Sequence, residues 1–132
     1  MKRVLVPVAD GTEEMEAVIV IDVLRRAGCE VCIAGLDAGT IRGSRGVRIE
    51  PDGPWSAARP ADFDALVLPG GAEGTRRFCA HGGLLDAVRA MHAAGRLVAA
   101  VCAAPPGILS ALDLPLIAGR GVIRADGLRS RS

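Results

Sequence analysis

Aromatic side chains are almost absent from this sequence: Trp55, Phe63 and Phe78 are the only ones, and tyrosine does not occur. Such a chain offers no platform on which unpaired bases stack. An excess of charge of one sign is also lacking. Sixteen basic residues stand against 15 acidic ones, a net charge of +1, so no global field draws in nucleic acid or an anionic membrane. Lysine occurs once, at Lys2; the preference for arginine elsewhere reads as codon usage. No apolar run approaches a membrane span, and Val4-Leu5-Val6-Pro7-Val8 is too short for a signal-peptide core. A cytoplasmic location is therefore expected, with the four cysteines as thiols. Cys29 and Cys32 have C-x-x-C spacing, but Cys29-Glu30-Val31-Cys32-Ile33-Ala34 reads as a strand, which sends them to opposite faces. No second Cys/His pair sits at finger spacing, so no metal is expected and both read as small buried hydrophobes.

Half of the 132 residues are hydrophobic, enough for one domain with a real core. Strand and helix patterns alternate. Arg3 to Val8 is a β-branched strand. Glu13 to Ala27 is a helix that Thr12 is placed to cap, with acids at its start, Arg25 and Arg26 at its end, and Gly28 as its stop. Cys29 to Leu36 and Ala65 to Leu68 are strands, the latter ended by Pro69-Gly70-Gly71. Gly74 to Ala93 reads as one helix with a weak point at Gly82-Gly83. Leu97 to Val101 is an apolar strand. The Gly- and Pro-rich segment 37–62 suits a β-ribbon excursion. Apolar strands alternating with helices predict an α/β fold, a parallel sheet covered on both faces. The domain is expected over residues 1–118, with a Gly/Arg-rich, frayed tail over 119–132.

Two side chains stand out. On a helical wheel Glu16 shares a stripe with Val20, Val23 and Ala27, in a helix apolar nearly all round. Such a helix is covered by the domain on every side or lends one side to a dimer. A carboxylate on that stripe must be protonated or tightly hydrogen-bonded. It is read either as a first-turn cap or as a functional carboxyl with a raised pKa at the end of strand one, where open α/β sheets bind ligands. Cys102 ends the buried strand Val98-Ala99-Ala100-Val101 and precedes small residues, the shape of a nucleophile elbow. A helix start beyond it lowers a thiol's pKa. Gly70-Gly71 ends another strand, and the Gly71 and Ala103 amides together suit an oxyanion hole. His81 and His92 read as surface residues.

Gly11-Thr12-Glu13-Glu14-Met15-Glu16-Ala17-Val18, Asp22 to Gly28, Ser44-Arg45-Gly46-Val47, Asp64 to Gly71 and Ala99 to Pro105 match, in order and spacing, the ThiJ/PfpI family. The resemblance is to the branch of the parkinsonism-associated protein deglycase, within the class I glutamine amidotransferase-like superfamily. It implies a flavodoxin-like three-layer sandwich with a mostly parallel sheet. Cys102 would be an oxidation-prone thiolate contacted by a protonated Glu16, with Gly71 and Ala103 as the oxyanion site. Gly70 and Arg45 would bind substrate or oxidised cysteine, and Met15 and Arg26 would lie at the interface of a homodimer. Family members usually carry a histidine beyond the elbow helix; here Leu114 to Ser132 contains none, and Ala125 falls in its place. The chain also stops before the family's closing strands and final helix, so a sandwich lacking those C-terminal elements is expected, with an uncovered sheet edge.

Three functions compete. The first is a cofactor-free glyoxalase or deglycase acting through Cys102 on a small dicarbonyl or a glycated protein. The second is a redox sensor or chaperone-like protein using reversible Cys102 oxidation. The third is an inactive truncated member.

Overall fold

The computed structural model describes residues 1–102 together with Ala104, Gly107 and Ile108. Ala103, the Pro105-Pro106 pair and everything from 109 on, including Ala125 and the 119–132 tail, lie outside the described residues. So do the expectations placed on them.

Strand β1 (Arg3–Val8) leads into helix α1 (Glu14–Arg26) and strand β2 (Glu30–Gly35). An excursion follows: β3 (Ile41–Arg42) and β4 (Arg48–Ile49) form the predicted ribbon, antiparallel, and β5 (Gly53–Pro54) returns to pair with β2. Then come β6 (Ala65–Leu68), α2 (Ala72–Cys79), α3 (Gly82–Ala93) and β7 (Leu97–Ala100). The main sheet runs β5-β2-β1-β6-β7, every pairing parallel. Without the two-residue β5, the long strands follow the flavodoxin-like order, with β1 and β6 flanking the point where the winding reverses. Loops leaving those two strands diverge and open a crevice.

Both faces of the sheet are buried, as the unbroken apolar strands require. Val4, Val6 and Val8 of β1 join Ala17 and Ile21 of α1 on one face. Leu5, Leu66 and Leu68 join Phe78, Leu84, Val88 and Met91 of α2 and α3 on the other. The period-two alternation thus separates two cores and makes three layers. Cys29 packs against the first core and Cys32 against the second, so the C-x-x-C pair points apart, and all four cysteines are free. No described helix is long and apolar enough to cross a membrane.

Two expectations are corrected and one pair of alternatives is narrowed. The helix placed over residues 74–93 is two helices, because the His81 imidazole turns back and accepts the Leu84 N–H at 3.0 Å through Nδ1, capping α3. Thr12 does not cap α1. Its hydroxyl accepts the Ala9 N–H at 3.0 Å inside the β1–α1 loop, and Glu13 takes the cap position, accepting from Met15 N. Finally, the domain's own core does not cover α1 all round. The buried stripe is Glu14, Ala17 and Ile21, while Met15, Val18, Ile19 and Val23 are each about half exposed or more, at 49–65 %.

Candidate active site

The cleft at the crevice is built from main chain first. Glu13 N donates to Gly70 O at 2.9 Å, Gly11 N to Arg42 O at 2.9 Å, Ser44 N to Thr12 O at 2.9 Å, and Val101 N to Leu68 O at 3.0 Å. These bonds lock the β1–α1 loop, the ribbon and the ends of β6 and β7 together. Glycine is required at Gly71, which has φ +101°; a Cβ there would run into Gly11 O and Glu13 N. The resulting cleft, about 710 Å³, is lined in part by Glu16, Arg42, Arg45, Gly71 and Cys102.

Cys102 is exposed and is the one described non-glycine residue with positive φ, at 58°. Holding a non-glycine residue in this region costs on the order of 1–3 kcal/mol. Ala104, Gly107 and Ile108 beyond it are helical, and Ala104 and Ile108 are buried in the core, which anchors the turn that presents the thiol. The elbow read from the sequence is therefore present in the backbone. The Cys102 thiol is close enough to the Glu16 carboxyl to act on its protonation. Both crowd Gly70: a Cβ added there would lie 2.7 Å from Cys102 Cβ and 2.8 and 3.0 Å from the two Glu16 carboxyl oxygens. Burial pushes the Glu16 carboxyl up; the thiol lowers it and the Glu13 charge raises it, and the balance lies above the ordinary value. Glu13, not Glu16, supplies the α1 cap.

Arg45 lines the same cleft. Met15 and Arg26 do not; both are on the exposed side of α1, where Arg26 pairs with Asp22 at 2.8 Å. Among the described residues no group of three or more His, Cys, Asp or Glu is arranged to hold a metal. Asp10, Arg42 and Glu73 also reach the cleft but carried no signal in the sequence. Glu73 is held down to about 2, chiefly by hydrogen bonds from Arg76. Glu14 was also missed. Its signal was present, since the Ala17–Ile21–Leu24 stripe extended three residues back reaches it.

The DJ-1/PfpI family model matches residues 2–116. The chain is 44 % identical over 105 residues to Protein dj-1beta of Drosophila melanogaster, covering 79 % of this chain and 56 % of that protein. It is 34 % identical over 109 residues to Deglycase PH1704 of Pyrococcus horikoshii, covering 83 % and 65 %. Among solved structures, the oxidized DJ-1 of Toxoplasma gondii superposes with a TM-score of 0.80 at 40 % identity, covering 83 % of this chain and 60 % of that one. In each case the chain spans less than two thirds of its relative's length. With the strand order, the elbow at Cys102 and a match over nearly the whole chain, the protein belongs to the DJ-1/PfpI family.

Proposed function

We propose that this chain performs cofactor-free glyoxalase or deglycase chemistry on reactive dicarbonyls or their adducts, with Cys102 as nucleophile and Glu16 as proton carrier. The observation that carries the reading is the convergence of the Glu16 carboxyl and the Cys102 thiol over Gly70, on a backbone turn strained to present the sulfur. The likeness to a protein named as a deglycase supports the reaction class.

With a dicarbonyl such as methylglyoxal, the pair shares one proton at the start. Sulfur adds to the aldehyde carbon; the S–C bond forms, the C=O π bond opens, and its oxygen takes the proton held by Glu16. The Gly71 amide, with that of Ala103, would stabilise charge on that oxygen. Glu16, now a carboxylate, takes the proton of the sulfur-bearing carbon and gives it to the adjacent carbonyl oxygen, forming an enediol, then moves the first carbon's hydroxyl proton to the second carbon. One carbon is thereby oxidised to a thioester and its neighbour reduced to an alcohol, so no external oxidant enters. Water cleaves the thioester, releases the 2-hydroxy acid and restores the thiol. The raised pKa of Glu16 suits this alternation, because an ordinary carboxyl holds no proton to give at neutral pH.

A second reading, a redox sensor oxidised reversibly at Cys102, draws on the exposure of that thiol and on the oxidized state named for the Toxoplasma relative. In both readings the half-exposed apolar side of α1, with Met15, Val18, Ile19 and Val23, is the proposed homodimer face, and Arg26 joins it at the end of the helix.

The test is the pH dependence of Cys102 alkylation in the wild type and Glu16→Ala, with Cys102→Ala as blank, followed by methylglyoxal turnover. A midpoint shifted by Glu16→Ala, with 2-hydroxy acid formed, supports the enzyme. A shifted midpoint with peroxide oxidation and no turnover supports the sensor. A midpoint insensitive to Glu16 refutes the paired site.

A further inference from the structure

Glu14 is a carboxylate where the packing leaves little room for one. It is 7 % exposed and shares its stripe of α1 with Ala17 and Ile21. Ion pairs among the described residues involve other side chains. What faces Glu14 is the tip of the β3–β4 ribbon. Arg45 N donates to its two oxygens at 2.9 and 3.2 Å, and Ser44 Oγ lies 3.2 Å from one of them. The same hydroxyl also contacts Glu13 at 2.9 Å. Gly43 packs directly on the carboxylate, and any side chain at 43 would collide with Glu14 Oε2. Burial alone would raise this carboxyl, but the Arg45 amide outweighs it, together with Ser44 Oγ and the amides of Glu14 and Val47. The group is held below its ordinary value and stays charged.

The ribbon tip therefore behaves as an anion nest occupied by the protein's own side chain. Its shortest bond comes from the amide of Arg45, a residue that lines the cleft with Cys102. We propose that Glu14 is a positioning residue: by seating the Ser44–Arg45 backbone, it sets where the Arg45 guanidinium enters the cleft and thus the attraction of Cys102 for anionic reactants. The proposal rests on the assignment of Cys102 and Arg45 to one site. It requires a carboxylate rather than an amide, since the NH₂ of a glutamine would set a donor against a donor or against Gly43.

Two alkylators with the same leaving group, iodoacetate and neutral iodoacetamide, separate charge from reactivity. Their rate ratio at Cys102, followed by peptide mass spectrometry on the full chain, reports the cation. Arg45→Ala is expected to lower the ratio about threefold to tenfold, the effect of one unit charge at short range. Glu14→Gln is expected to lower it as far, and the double variant no further. The sign is diagnostic: removing the Glu14 charge without moving Arg45 would favour the anionic reagent and raise the ratio. An unchanged or raised ratio in Glu14→Gln, with Arg45→Ala lowered, overturns the role of Glu14. A ratio insensitive to Arg45→Ala overturns the proposal through the shared-site assignment instead. Failure of methylglyoxal turnover touches neither arm. If Glu14→Gln does not fold, hydrogen exchange on the wild type decides: an Arg45 amide much slower than that of Gly39 supports the seat, and one that exchanges as freely overturns it.

Discussion

Gly70→Ala tests the site without touching either reactive group. A methyl carbon at 70 would lie 2.7 Å from Cys102 Cβ and 2.8 Å from the nearer Glu16 oxygen, against 3.4 Å where ordinary contact begins. The shortfall is roughly 0.6–0.7 Å on two sides at once. Cys102 Cβ is one bond from a backbone fixed at φ 58° and yields little, so the Glu16 carboxyl or the end of β6 must give way. Overpacking of this kind costs about 1–3 kcal/mol of stability, which leaves the domain folded if its stability is typical. The chemistry should suffer more, because a misplacement near 1 Å costs about 10²-fold. A loss of roughly 10- to 100-fold in kcat/KM for 2-hydroxy acid formation from methylglyoxal is expected. Gly82→Ala is the control: nothing lies within 4 Å of a Cβ there, and activity should be unchanged. A folded Gly70→Ala enzyme with wild-type kcat/KM would refute the argument that the Glu16–Cys102 convergence performs the reaction.

Other outcomes follow from individual side chains. The folded state raises the pKa of Glu16, so it binds a proton over a range in which the unfolded chain has released it. Stability should therefore fall as pH rises from the ordinary carboxyl value through the raised one, and Glu16→Gln should flatten that slope in denaturant melts recorded between pH 4 and 8; an unchanged slope counts against the raised pKa. His81→Ala should cost about 1 kcal/mol in urea unfolding through loss of the α3 cap, and His81→Asn should recover most of it; equal losses in both would show that the cap is not the source. In sedimentation equilibrium the wild type should run as the proposed dimer and Val18→Glu with Ile19→Glu as a monomer; a monomeric wild type, or a variant of unchanged mass, would count against this face as the interface.

The sheet was legible because its strands are short apolar runs bounded by punctuation: Gly28 before β2 and Pro69-Gly70-Gly71 after β6 occupy the boundaries observed. The elbow at Cys102 was legible for the same reason. The break between α2 and α3 was legible only as the weak point at Gly82-Gly83, where α3 starts; that the helix ends there turns on a histidine accepting a backbone N–H, a preference too weak to read without the fold. Glu16 was found on mixed grounds. Its stripe was judged buried from the wheel, yet Val23 on that stripe is 57 % exposed, and Glu16 is sheltered by the loop after β6 and by Cys102 rather than by neighbours on α1. Glu14 escaped because a lone carboxylate extending an apolar stripe by one turn resembles an exposed first-turn acid; only the ribbon tip, 30 residues away in sequence, makes it an interior group.

Four of the bonds that join the cleft walls run between peptide groups, from Glu13 to Gly70, Gly11 to Arg42, Ser44 to Thr12 and Val101 to Leu68. Amides carry no record of the side chain attached to them. A frame held this way depends on loop length: one residue inserted after β1 or β6 would shift that loop's peptide donors and acceptors out of register.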